Sequence, residues 1–127
     1  MNLLLDTHVF IWWDQFNPAL NPVARAAIED PQNNIFVSAA SVWEIAIKQQ
    51  HGKLRFSGSS AAAIAANGFF ELPMLAADAE QAGGLPWTHA DPFDRMLVAQ
   101  AMAHDMVLVT ADETIRAAGL AAQLWAG

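Results

Sequence analysis

The sequence predicts an α/β fold, on three observations. Short apolar runs of strand length, such as Leu3-Leu4-Leu5 and Val107-Leu108-Val109, alternate with longer stretches of helical spacing. Those runs do not alternate apolar with polar, as a strand with one wet face would, so they read as strands buried on both faces. An acidic residue, Asp6 or Asp112, stands just past two of them, where ligands collect in an open α/β sheet.

In order, residues 2–5 form the first predicted strand, and Thr7 to Trp13 a short apolar helix that ends at the turn-prone Asn17-Pro18. Pro22 suits the first turn of a second helix, Val23 to Glu29, closed by Asp30-Pro31. Asn34 to Ser38 is the next strand, and Ser38 caps a helix to about Gln50, with Gly52 as its stop. Gly52-Lys53-Leu54-Arg55 is a loop. Residues 59–67 read as an Ala-rich helix and Phe69 to Leu72 as a strand broken by Pro73. Ala76 to Ala82 is a helix stopped by Gly83-Gly84, and Leu85 to His89 a loop. Asp91 caps a helix that opens on Pro92 and runs to Ala101. Met106 to Thr110 is a strand, Thr110 and Glu113 fit a capping box, and Gln123 to Trp125 is a last short strand.

The length of 127 residues suits one domain, 1–127, with a single sizeable core. The hydrophobic share of 54%, with five Trp and seven Phe, is high enough that a second subunit or partner is expected to cover part of the surface. No apolar run approaches the roughly 18 residues that suggest a membrane span. No basic leader precedes the first strand and there is no cysteine, so a cytoplasmic protein without disulfides or thiolate metal sites is expected. A net charge of −7, with 13 acids against six Lys and Arg, argues against a general nucleic-acid binder, unless bound cations reverse the local sign.

Each acid has a plain reading and a functional one. Asp6 either caps the helix behind it or belongs to a site. Ser41, Glu44, Lys48 and His51 form one narrow polar stripe on an otherwise apolar helix. Glu44 is therefore either the partner of Lys48 in an i,i+4 pair or part of an internal polar site. Asp91 reads as a cap. Asp94 heads the stripe Asp94, Leu97, Val98, Ala101, the spacing of a buried face, where a carboxylate calls for a metal or a buried partner. The capping box gives Thr110 a structural role and leaves Asp112 free. None of His8, His51, His89 and His104 has zinc-site spacing, and all four read as surface or cap residues.

If the strands are parallel, Asp6, Glu44, Asp94 and Asp112 converge. At ~4 Å each pair of carboxylates repels by roughly 4 kcal/mol at an effective dielectric of 20, so some are protonated or divalent cations neutralise them. An oxygen-only donor set selects Mg²⁺ or Mn²⁺, and such ions at strand ends suit phosphodiester hydrolysis.

Four blocks carry a resemblance. Leu3-Leu4-Leu5-Asp6-Thr7-His8, the segment Val37 to Ile45, the segment Asp91 to Ala101 and Leu108-Val109-Thr110-Ala111-Asp112 resemble the four motifs of PIN-domain ribonucleases. They are similar in particular to the VapC toxins of type II toxin–antitoxin pairs. The resemblance spans nearly the whole chain, in order. It implies a compact three-layer α/β/α sandwich with a mainly parallel central sheet, and a toxin that hydrolyses RNA. It implies Mg²⁺ or Mn²⁺ held by Asp6, Glu44, Asp94 and Asp112 as catalytic acids. Thr7, Ser41, Thr110 and Asp91 would support them, and Lys48, Lys53, Arg55 and Arg95 are the candidate contacts to the RNA substrate. It also implies a homodimer and a small cognate antitoxin whose tail blocks the active site, with DNA met only through that antitoxin.

Two alternatives stay open, a PIN nuclease of RNA maturation without an antitoxin and a non-enzymatic binding module whose acids are caps. A dehalogenase-like phosphatase is disfavoured, because it needs a second Asp two residues after the first and His8 stands there.

Overall fold

In the computed structural model, which describes all 127 residues, β1 (Asn2–Leu5) is the middle strand of a five-stranded sheet. It is followed by α1 (Thr7–Asp14), α2 (Pro22–Glu29), β2 (Asn34–Ser38), α3 (Ala39–Gln50) and α4 (Ser60–Ala66). Then come β3 (Phe70–Leu72), α5 (Ala76–Gly84), α6 (Pro92–Ala103), β4 (Val107–Thr110), α7 (Glu113–Ala118) and β5 (Gln123–Trp125). The strand order is β3-β2-β1-β4-β5 and every pairing is parallel.

Period-2 alternation divides β1 between two cores. Leu3 and Leu5 pack with Val9, Phe10, Ile28, Ile45 and Ile64, drawn from α1 to α4. Leu4 packs on the other face with Ala82, Leu97, Val98 and Ile115, drawn from α5 to α7. The result is the expected α/β/α sandwich. The three leucines are fully buried, each worth about 1.5–3 kcal/mol of transfer free energy. Full burial on both faces is why β1 is a continuous apolar run.

The chain builds β2 and β3 on one side of β1, and β4 and β5 on the other. The crevice past the carboxyl ends of β1 and β4 is therefore a topological switch point, and the helices that follow those two strands start there. Asp6 caps α1 by accepting from the Val9 N–H at 2.9 Å. Ser38 caps α3 in the same way through the Ala40 N–H at 3.0 Å. The edge-to-face pair of Trp43 and Phe93, centroids 5.1 Å apart, sets α3 against the start of α6.

Three local expectations are corrected. Gly83 and Gly84 are the last residues of α5 rather than its stop, since neither needs a positive φ. Phe69 lies outside β3. The Thr110–Glu113 capping box does not form. Asp112 caps α7 instead, its Oδ1 accepting from the Thr114 and Ile115 N–H groups at 2.8 and 3.1 Å. Standing one step before the helix, Asp112 satisfies two orphan donors with a single oxygen, and Thr110, still in the strand, cannot reach them. No helix is long and apolar enough to cross a membrane.

Candidate active site

The carboxyl ends of β1 and β4, the polar stripe of α3 and the first turn of α6 enclose a hollow of about 80 Å³ with no hydrophobic wall. Asp6, Glu44, Asp91, Asp94 and Asp112 all line it, with Thr7, His8 and Lys48. The four acids expected to converge are thus brought together, and Asp91 joins them.

Asp6 is buried at the floor. Its Oδ1 caps α1, and its Oδ2 accepts from the Thr110 hydroxyl and, at 3.3 Å, from the Ala111 N–H. Thr110 in turn accepts from the Asp112 N–H at 3.0 Å, so one hydroxyl ties the acids after β1 and β4 together. Burial raises the Asp6 pKa above its ordinary value, against the lowering effect of the Thr110 and backbone hydrogen bonds.

Glu44 satisfies both readings of it. Its Oε1 accepts from the Thr7 hydroxyl at 2.6 Å, and Thr7 lies 2.9 Å from the buried Ser41 hydroxyl. Its Oε2 meets Lys48 Nζ at 2.7 Å in the i,i+4 pair. The polar stripe of α3 therefore faces the pocket as far as Lys48, and His51 lies beyond it, exposed at the helix end.

Asp94 projects from the first turn of α6, and its Oδ2 sits 2.8 Å from His89 Nε2. Its pKa is pushed up to about 6, chiefly by burial, with the hydrogen bond from His89 opposing and the charges of Asp91 and Asp112 adding to the rise. Asp91 caps α6 through Oδ1, which accepts from the Phe93 and Asp94 N–H groups at 2.9 and 3.0 Å. In Asp91, as in Asp112, one oxygen caps a helix and the other has no hydrogen-bond partner. One ligand atom from each of His89, Asp91 and Asp94 falls within 4.8 Å of the others. Free carboxylate oxygens from Asp91 and Asp112, in a pocket where burial raises the pKa of two further acids, form a hard donor set that a divalent cation such as Mg²⁺ or Mn²⁺ fits.

The basic residues divide. Lys48 and Lys53 line a second hollow of about 270 Å³ with Thr7, His8, Ile11 and Leu54, directly beside the acid pocket. Arg55 is exposed and contributes only its carbonyl, which accepts from Gln15. Arg95 is a correction to the set of substrate contacts. Its Nε donates to the Ala82 carbonyl, Nη1 to those of Trp87 and His89, and Nη2 to those of Gly83 and Leu85, at 2.6–3.2 Å. All five guanidinium donors are engaged, so the side chain pins the loop after α5 and none is left for a phosphate.

Sequence reasoning missed two features. His89 was expected at the surface, but it holds Asp94. It precedes α6 in a loop shaped by Arg95, and no periodicity could place it. Behind the sheet, the Ser38 hydroxyl donates to Gln100 Oε1 at 2.6 Å, and Gln100 Nε2 donates to the Pro73 carbonyl and, at 3.4 Å, to Asp78. Asp78 is buried and also accepts from the Leu75 N–H, with His104 Nε2 at 3.3 Å. A polar Gln100 in an apolar helical stripe was the available signal.

A family model described as the PIN domain matches residues 3–120. Among solved structures, the chain is similar to VapBC2 from Rickettsia felis bound to a DNA fragment from their promoter, with a TM-score of 0.74 and 15% identity over 100% of both chains. It is also similar to VapBC-1 from nontypeable Haemophilus influenzae, at a TM-score of 0.65 and 18% identity over 98% of this chain and 97% of that one. A toxin–antitoxin complex from Klebsiella pneumoniae matches at 0.63 and 22% over 96% and 95%. At these identities the likeness is one of fold. No curated protein matches the sequence.

Proposed function

The chain belongs to the PIN-domain family, and from that premise we propose that it is a Mg²⁺- or Mn²⁺-dependent endoribonuclease, the toxin of a type II toxin–antitoxin pair. The observation that carries the reading is the convergence of Asp6, Glu44, Asp94 and Asp112 on one hollow without apolar walls. In this reading the whole chain, 1–127, is one PIN domain working in the cytoplasm.

Asp6, Glu44, Asp94 and Asp112 would hold the metal, with Asp91, which lines the same hollow, in a supporting place. A divalent ion bound there supplies a polarised phosphoryl oxygen and a water of lowered pKa. The chain's own residues prepare the site. Thr110 and the Ala111 N–H keep the Asp6 carboxylate turned into the pocket. Thr7 and Ser41 fix Glu44 from one side and Lys48 from the other. Arg95 holds the loop that carries His89, and His89 orients Asp94. Lys48 and Lys53 offer the neighbouring hollow to a phosphate of the RNA, and exposed Arg55, two residues on from Lys53, is a further candidate contact.

The antitoxin is proposed from the complexes the fold resembles. Its tail would enter the acid pocket, and any DNA contact would come through it. Exposed Phe70, Met74 and Leu75, at and just past the edge strand β3, give a second copy or a partner apolar surface to cover. That surface supports a homodimer.

The test is to sequence RNA 5′ ends after brief expression in a heterologous host, beside Asp94→Asn. New 5′ ends at discrete positions, absent with the variant, are expected. Identical profiles from the two chains would contradict the reading.

A further inference from the structure

The charge of the surface leaves a question that a hollow beside the acid pocket answers. Of six Lys and Arg, Arg95 is held by five carbonyls and Lys48 by Glu44. Arg116 lies over Trp125 at 4.2 Å and near Glu113, and Arg25 lies over Trp13 at 5.9 Å. Lys53 and Arg55 remain. Two cations on a chain of net charge −7 give little general attraction for a polyanion. A single strand held here needs a source of affinity other than phosphate contacts.

Such a source stands in another hollow beside the acids. A hollow of about 210 Å³ is lined by Asp6, His8, Trp12, Ala111 and Asp112. It shares Asp6, His8 and Asp112 with the acid pocket. His8 and Trp12 are four residues apart on α1, so they stand on one face a turn apart. Trp12 is half-buried, anchored against the core on one side while lining the hollow on the other, and its indole N–H has no protein partner. His8 also lines the hollow of Lys48 and Lys53. The three hollows therefore meet around His8, which lines all of them, with Lys53 in one, the converged acids in another and Trp12 in the third.

We propose that the Trp12 hollow is a nucleobase subsite, in which a base flanking the scissile phosphate stacks on the Trp12 indole. An aromatic face holds any base and does not depend on phosphate charge. Trp12 is thereby a substrate-positioning residue. The inference rests on the ribonuclease reading of the neighbouring acids, and its test can fail separately from that reading.

Affinity is measured by fluorescence anisotropy on the full chain, with Ca²⁺ in place of Mg²⁺ to hold back cleavage. The probes are end-labelled octaadenylate RNA and an octamer of abasic sugar phosphates, which keeps the charge and lacks the bases. The unaltered chain is expected to favour octaadenylate by roughly ten- to a hundredfold, the usual effect of one stacked base. Trp12→Leu keeps the apolar anchor and loses the π-face, and should bring octaadenylate to within about twofold of the abasic octamer. Trp12→Phe should keep most of the preference. The proposal is overturned if the unaltered chain binds both octamers alike, if Trp12→Leu weakens both equally, or if it changes neither. The last result would leave the hollow to a protein partner. Failure of the ribonuclease reading has its own readout, no Mn²⁺-dependent cleavage of RNA by the unaltered chain, and the ratio of the two octamers reports on the hollow even then.

Discussion

Asp94→Asn should stabilise the metal-free protein while removing its response to metal. At about 1.4 kcal/mol per pH unit, a pKa raised from 3.8 to about 6 makes ionised Asp94 roughly 3 kcal/mol less favourable in the folded state than in the unfolded one. The sign follows from proton binding. Between about pH 4 and 6 the folded state binds the proton and the unfolded state has lost it, so stability falls as pH rises through that window and stays low above it. Asn carries no charge and can keep the contact with His89. In EDTA at pH 7.5 the variant should gain about 1–3 kcal/mol, roughly 3–9 °C in Tm for a chain of this size. At pH 4 the two proteins should converge. Adding Mn²⁺ at pH 7.5 should raise the Tm of the unaltered chain and leave that of Asp94→Asn in place. Thermal unfolding followed by circular dichroism reads all of these. A variant less stable than its parent at pH 7.5, or a gain that does not change with pH, would refute the burial of an ionised Asp94.

Three further outcomes follow from the hydrogen bonds. Arg95→Lys replaces a five-donor fork with a single ammonium and strands carbonyls of the 82–89 segment, costing about 2–4 kcal/mol. Urea unfolding gives the loss, and hydrogen exchange should quicken in residues 83–89. Ser38→Ala removes the donor to the fully buried Gln100 Oε1 and an N-cap together, so about 1–3 kcal/mol should be lost by the same urea measurement. Asp91→Asn keeps a good cap, so its unfolding free energy in urea should change by less than about 0.5 kcal/mol. A Mn²⁺ titration followed by Tm should show a weaker defect than Asp94→Asn.

The fold was largely legible because burial and capping are local signals here. The run Leu3-Leu4-Leu5 is apolar without alternation because β1 is buried on both faces, and Asp6, Ser38 and Asp91 cap helices at the positions their residue types suggest. The convergence of the acids followed from one assumption, parallel strands, because parallel strands share a carboxyl end. The failures lie where side chains meet across loops. Arg95 looked like a free cation, since no sequence pattern shows that five carbonyls will surround it. His89 acquires its role only through that wrapped loop. Thr110 and Asp112 exchanged roles because a capping box and a one-step-later Asp cap look alike in sequence, and only the end of β4 separates them.

Cleavage of labelled RNA by the purified chain bears most directly on the claim that the converged acids form a metal-dependent nuclease site. The comparison is between Mn²⁺ and excess EDTA, with Asp94→Asn alongside. The account predicts endonucleolytic products with Mn²⁺, none in EDTA, and none from Asp94→Asn at any Mn²⁺ concentration. Cleavage that persists in excess chelator, or that survives in Asp94→Asn, would contradict it.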